Sequence, residues 1–110
     1  MYPKLKYDKK TLRIIMGLTE STFYRKMKSI ENDPEYIKLF PRHNKFDRIL
    51  FPKEFKWILK SYPIDDNQII ESFVYLFDLD KAEIYHVVRV LDLETNPSDI
   101  IKRIGEIKGF

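Results

Sequence analysis

The side chains best placed to do chemistry in this chain are Glu20, Ser21, Tyr24, Arg25 and Lys28, whose spacings of three and four residues put them on one face of a helix. Hydroxyls and cations so arrayed offer binding chemistry: guanidinium and ammonium groups neutralise phosphate, and hydroxyl and guanidinium groups hydrogen-bond to base edges. Phe23 and Met27 fall opposite them, where a core would hold the helix. No comparable set suggests catalysis. Cysteine is absent, the only histidines are His43 and His86, and three glycines (Gly17, Gly105, Gly109) cannot build a phosphate-cradling loop. Asp65-Asp66 reads as a helix start with acids at the positive dipole end, and His86, between Tyr85 and Val87, reads as structural. The sequence therefore predicts a non-enzyme that needs no metal or cofactor.

Several local signals would position that polar face. Asp8 predicts an N-cap for a helix reaching about Met16, with Leu12, Ile15 and Met16 turned inward. Gly17 supplies a bend that other residues adopt only under strain, and Thr19 can cap the next helix, expected from Glu20 to about Ile30. Leu18 and Phe23 have the spacing of a hydrophobic staple across that cap.

Charge is unevenly spread. Residues 1–62 carry 15 Lys and Arg against 7 Asp and Glu, a surplus of eight; residues 63–110 carry 5 against 10, a deficit of five, which together restore the net +3. A basic half containing the polar helix face suits a polyanionic partner, whereas an acidic half does not. The sequence shows no apolar run approaching the roughly 18 residues of a membrane span and no signal-peptide pattern at its start, so the expectation is a cytoplasmic protein with no membrane partner.

Beyond Asn32-Asp33-Pro34, read as a turn, the period changes. Ile37–Phe40 and Phe46–Phe51 are short β-compatible runs flanking Pro41-Arg42-His43-Asn44-Lys45, which predicts a hairpin with a polar tip. Pro52 suits the first turn of a further helix carrying Phe55, Ile58 and Leu59. Two helices, a hairpin and a helix make a winged helix-turn-helix. In that layout residues 41–45 are the wing, and Arg42, His43, Asn44 and Lys45 would reach the DNA backbone or minor groove.

Gly17-Leu18-Thr19-Glu20-Ser21-Thr22-Phe23-Tyr24-Arg25, together with Phe51, Glu54 and Phe55, carries a resemblance. Residues 8 to about 60 resemble the small winged helix-turn-helix domains of phage and mobile-element excisionases, AlpA-type regulators and the MerR family. Arg13 and Lys26 depart from the family pattern, which favours a small and an apolar residue there; long aliphatic stems would let both cover the core while their charges reach water. The resemblance implies sequence-specific binding of double-stranded DNA, with residues 20–28 in the major groove, by an excisionase-like accessory factor or small transcription regulator. Ser21 and Tyr24 would contact bases or phosphates, Arg25 a phosphate or guanine edge, Lys28 the backbone, and the helix start capped by Thr19 a phosphate.

After Ser61-Tyr62-Pro63 the pattern is helical. Stripes at Ile69, Ile70, Phe73, Val74 and Phe77, at Ile84, Val87, Val88 and Leu91, and at Ile100, Ile101, Ile104 and Ile107 predict three helices, the second begun by Asp80 with Glu83 and the third by Asn96-Pro97. Tyr75, Leu76, Tyr85 and Val90 lie off these stripes, which points either to core completion or to self-association or a protein partner. The expected fold is mainly α with a small β-hairpin: a winged helix-turn-helix over residues 1–62 followed by a helical extension over residues 63–110. The competing function is a protein-interaction module, adaptor or inhibitor, acting through that extension.

Overall fold

The computed structural model describes residues 5–41, 43 and 47–108, the side chains of residues 107 and 108 aside. These residues form seven helices and no strand: α1 (Lys9–Met16), α2 (Glu20–Glu31), α3 (Pro34–Leu39), α4 (Pro52–Lys60), α5 (Asp66–Phe77), α6 (Lys81–Val90) and α7 (Pro97–Lys108). Two compact units divide them, one spanning residues 6–62 with α1–α4, the other carrying α5–α7 from Pro63 onward. Among the described residues no helix is long and apolar enough to cross a membrane.

In the first unit, α1 starts where the Asp8 side chain accepts the Thr11 N–H at 2.8 Å. It ends at Gly17, whose φ of 67° lies in the left-handed region. The next two N–H groups then close back on the helix, Gly17 onto the Ile14 carbonyl and Leu18 onto that of Arg13. This is the sharp stop that leaves only three residues, 17–19, between α1 and α2. Leu12, Ile15 and Met16 from α1, Phe23, Met27 and Ile30 from α2, and Phe55, Ile58 and Leu59 from α4 are buried. Each contributes about 1.5–3 kcal/mol by leaving water. α1 packs on α4, and α2 on α3.

Among the described residues the expected hairpin is absent. Residues 34–39 are helical because Asp33 and Pro34, read as a turn, are start signals: the Asp33 carboxylate accepts the Glu35 N–H at 2.9 Å, and Pro34 occupies the first turn. The β-compatible run that suggested a strand lies largely at the surface. Ile37 and Leu39 are about half exposed, and only Tyr36 of α3 is buried. On the other side, residues 48–50 pair with the segment before α1 rather than with residues 37–40. Lys9 N–H donates to the Arg48 carbonyl and Leu50 N–H to the Tyr7 carbonyl, both at 2.8 Å, around an isolated antiparallel bridge between Asp8 and Ile49. The winged layout is therefore corrected to an all-helical one among the described residues.

The second unit is built from local signals. α5 and α6 each open with a reciprocal cap: Asp65 accepts from Gln68 N–H while the Gln68 side chain accepts from Asp65 N–H, and Asp80 and Glu83 do the same. Both helices stop on left-handed aspartates, Asp78 at φ 50° and Asp92 at φ 51°. Ile69, Ile70, Phe73 and Val74 of α5, Ile84 and Val87 of α6, and Ile100 and Ile104 of α7 form the core, with α6 packed on both neighbours.

Candidate nucleic-acid interface

α2 owes its place to three things. The Thr19 hydroxyl accepts the Thr22 N–H at a long 3.4 Å and donates to the Thr22 hydroxyl at 2.9 Å. Glu20 in the first turn complements the positive dipole end. Phe23, Met27 and Ile30 then root one face in the core. The opposite face is in solvent: Ser21, Tyr24, Arg25 and Lys28 are all exposed, Tyr24 at 60%. Lys28 Nζ stands 5.0 Å from the Tyr24 ring centroid, a one-turn cation–π pair that orders both side chains along the ridge. Arg25 makes no ion pair with any described residue, so its guanidinium is available to an outside anion.

The two departures from the family pattern have structural partners. Half-buried Arg13 donates from Nη1 to the Leu18 carbonyl at 3.1 Å, while its own carbonyl accepts Leu18 N–H at 3.2 Å, so one residue braces the hinge twice. Lys26 lies with Nζ 5.3 Å from the Tyr62 ring centroid and 3.5 Å from the Ser61 carbonyl, at the end of α4. Neither cation is spent on the exposed ridge.

The residues expected in a wing part company. Arg42, Asn44 and Lys45 lie outside the described residues. His43 faces inward, its side chain 10% exposed. Its Nε2 meets Glu31 Oε2 at 2.9 Å, and its Nδ1 lies 2.6 Å from Glu54 Oε2 and 3.0 Å from the Tyr36 hydroxyl. Tyr36 donates a short hydrogen bond to the same Glu54 oxygen, and Glu54 Oε1 accepts Phe51 N–H at 3.3 Å, which starts α4. Burial pushes the Tyr36 phenol well above its ordinary range, with the hydrogen bond to Glu54 and the charges of Glu54 and Glu31 adding to it. Tyr36 therefore stays a donor. Aromatic rings wall this cluster, Trp57 and Phe40 at 5.2 Å from the Tyr36 ring centroid.

Sequence reasoning did not find the Glu31–His43–Tyr36–Glu54 cluster, because its members come from three helices and a loop and share no spacing. The one available signal was Glu31 itself, an acid in the last turn of α2 where the dipole favours a cation. Among the described residues no group of three or more His, Asp or Glu side chains is arranged to hold a metal ion. Comparison with protein-family models, with curated proteins and with solved structures gave no match.

Proposed function

We propose that the protein binds double-stranded DNA by laying α2 in the major groove, and that it serves as an accessory or regulatory DNA-binding factor. The reading rests on one observation above all: a helix held at a fixed angle by a left-handed glycine and an N-cap presents Ser21, Tyr24, Arg25 and Lys28 to solvent along a single ridge. Such a ridge offers side chains that read base edges and cations that neutralise phosphate. The surplus of eight positive charges over residues 1–62 supports it. The resemblance of residues 17–25 to the recognition turn of excisionase and MerR-type proteins points the same way, toward a mobile-element accessory factor or a small transcription regulator. A bending assay on the native site set against a promoter reporter separates those two roles.

Affinity for a duplex, followed by fluorescence anisotropy across salt, tests the proposal. Binding should weaken with a log–log slope of about −0.9 per phosphate neutralised. Arg25→Ala should cost about 1–3 kcal/mol, roughly five- to 150-fold in affinity, if the guanidinium makes a two-point contact to guanine. Flat or absent binding overturns the reading.

One observation favours a second activity alongside it. Tyr75 and Leu76 on α5 and Tyr85 on α6 are 56%, 37% and 50% exposed in a unit whose own core is already filled. Such apolar surface suits self-association or a protein partner. Sedimentation velocity across concentration, with Tyr75→Ser as the control, reads the first of these.

A further inference from the structure

We infer that His43 is a positioning residue for α2: it fastens the last turn of the DNA-binding helix to the first turn of α4 and touches no DNA itself. The inference rests on the DNA-binding reading of α2 and adds to it the device that aims the helix.

Both Glu31 and Glu54 can only accept when ionised, and Tyr36 spends its proton on Glu54. The ring meets Glu31 at Nε2 and Glu54 at Nδ1, so one imidazole bridges the carboxyl groups of two helices. The backbone completes the strap, since His43 N–H donates to the Phe40 carbonyl at 3.0 Å and ties the loop to the end of α3. Glu31 alone would weaken the end of α2, because an acid there opposes the dipole. With His43 against it, the same acid becomes the anchor. α2 is rooted along its length by Phe23, Met27 and Ile30, but its far side is open to solvent, so the link at Glu31 restrains the turn that carries Lys28. The groups facing His43 are thus Glu31 from α2, Tyr36 from α3 and Glu54 from α4.

The sign of a charge change separates this role from direct contact. Glu31→Ala deletes an acid from the DNA-binding helix, and electrostatics alone predicts tighter binding to a duplex. Positioning predicts the reverse, a loss of about tenfold. Glu31→Gln, which keeps an acceptor for Nε2–H, should recover most of it. His43→Gln should weaken binding similarly while leaving the salt slope unchanged, whereas loss of a phosphate contact would reduce the slope by about 0.9. Combined, Glu31→Ala and His43→Gln should cost little more than either alone. Amide hydrogen exchange in free protein should rise in residues 27–31 of both variants and stay level in α5–α7. Tighter binding by Glu31→Ala, a reduced slope in His43→Gln, or unchanged exchange overturns the inference. If the wild type binds no duplex while exchange still rises, the strap stands as a structural link and the DNA reading of α2 fails with the positioning role. Should His43→Gln not fold, the Glu31 pair alone decides.

Discussion

Residues 6–62 and the unit from Pro63 onward share one way of stopping a helix and place their polar ties differently. In both, a left-handed residue ends a helix and the following N–H turns back onto it: Gly17 after α1, Asp78 after α5 and Asp92 after α6. The second unit adds caps three residues apart, apolar stripes and polar ties at its surface, from Asp66 to Glu94 N–H, Thr95 to Asn67, Tyr85 to Ser98 and Arg103 to Glu71. The first sinks two of its ties inside, Tyr36 to Glu54 buried and Glu31 to His43 partly so, with Lys26 to Ser61 at the surface. It also leaves one basic helix face in solvent, whereas the other unit carries a surplus of acids. The lesson is that helix packing alone does not distinguish the two. What sets the first apart is that its polar cluster is buried and that it leaves a basic helix face uncovered.

The sharpest way to break that contrast is to remove one polar tie and one local cap. Glu54→Ala strips the shared acceptor from His43, Tyr36 and Phe51 N–H, and should cost about 3 kcal/mol in chemical denaturation. Asp80→Ala, which removes a single helix cap in the second unit, should cost about 1 kcal/mol. Equal losses would mean that the cluster is no more than a cap.

The hinges offer a smaller contrast. A Cβ built at Gly17 meets no atom within 4 Å, so Gly17→Ala carries backbone strain alone and should cost about 1–2 kcal/mol. Asp92→Gly should instead raise stability by about 0.5 kcal/mol, the left-handed strain relieved less the freedom added to the unfolded chain. Thermal melts of the two variants should therefore shift in opposite directions.

The smallest effect lies in the tyrosines. Burial raises the Tyr7 phenol as well as that of Tyr36, so in an alkaline absorbance titration these two of the seven should stay protonated until the protein unfolds. A phenol whose pKa is higher folded than unfolded supports folding fully below pH 10 and loses that support as pH climbs above it. Tyr36→Phe should flatten this alkaline loss. Its persistence would place the strain elsewhere.

Much of the fold was legible where the signal is local. Asp8, Thr19, and Asp80 with Glu83 cap helices through neighbours three residues away, Asp65-Asp66 marks a helix start, and Gly17 announces the bend by its type. The segment from Asp33 to Phe51 was misread because its signals conflict. Asp-Pro marks both turns and helix starts, and Ile37 to Phe40 is β-compatible by residue type although neither Ile37 nor Leu39 is buried. His43 was legible as polar and not as inward, since its partners at positions 31, 36 and 54 are brought to it only by tertiary structure. The α2 ridge was readable residue by residue, because the face of a helix is fixed by its period once the buried side is known.

Amide chemical-shift mapping during titration with a short duplex tests the central claim most directly. The account predicts that the largest changes fall on residues 19–28, with those of 66–106 little altered and the whole response suppressed by salt. Changes concentrated in α5–α7, or none in α2, would contradict it.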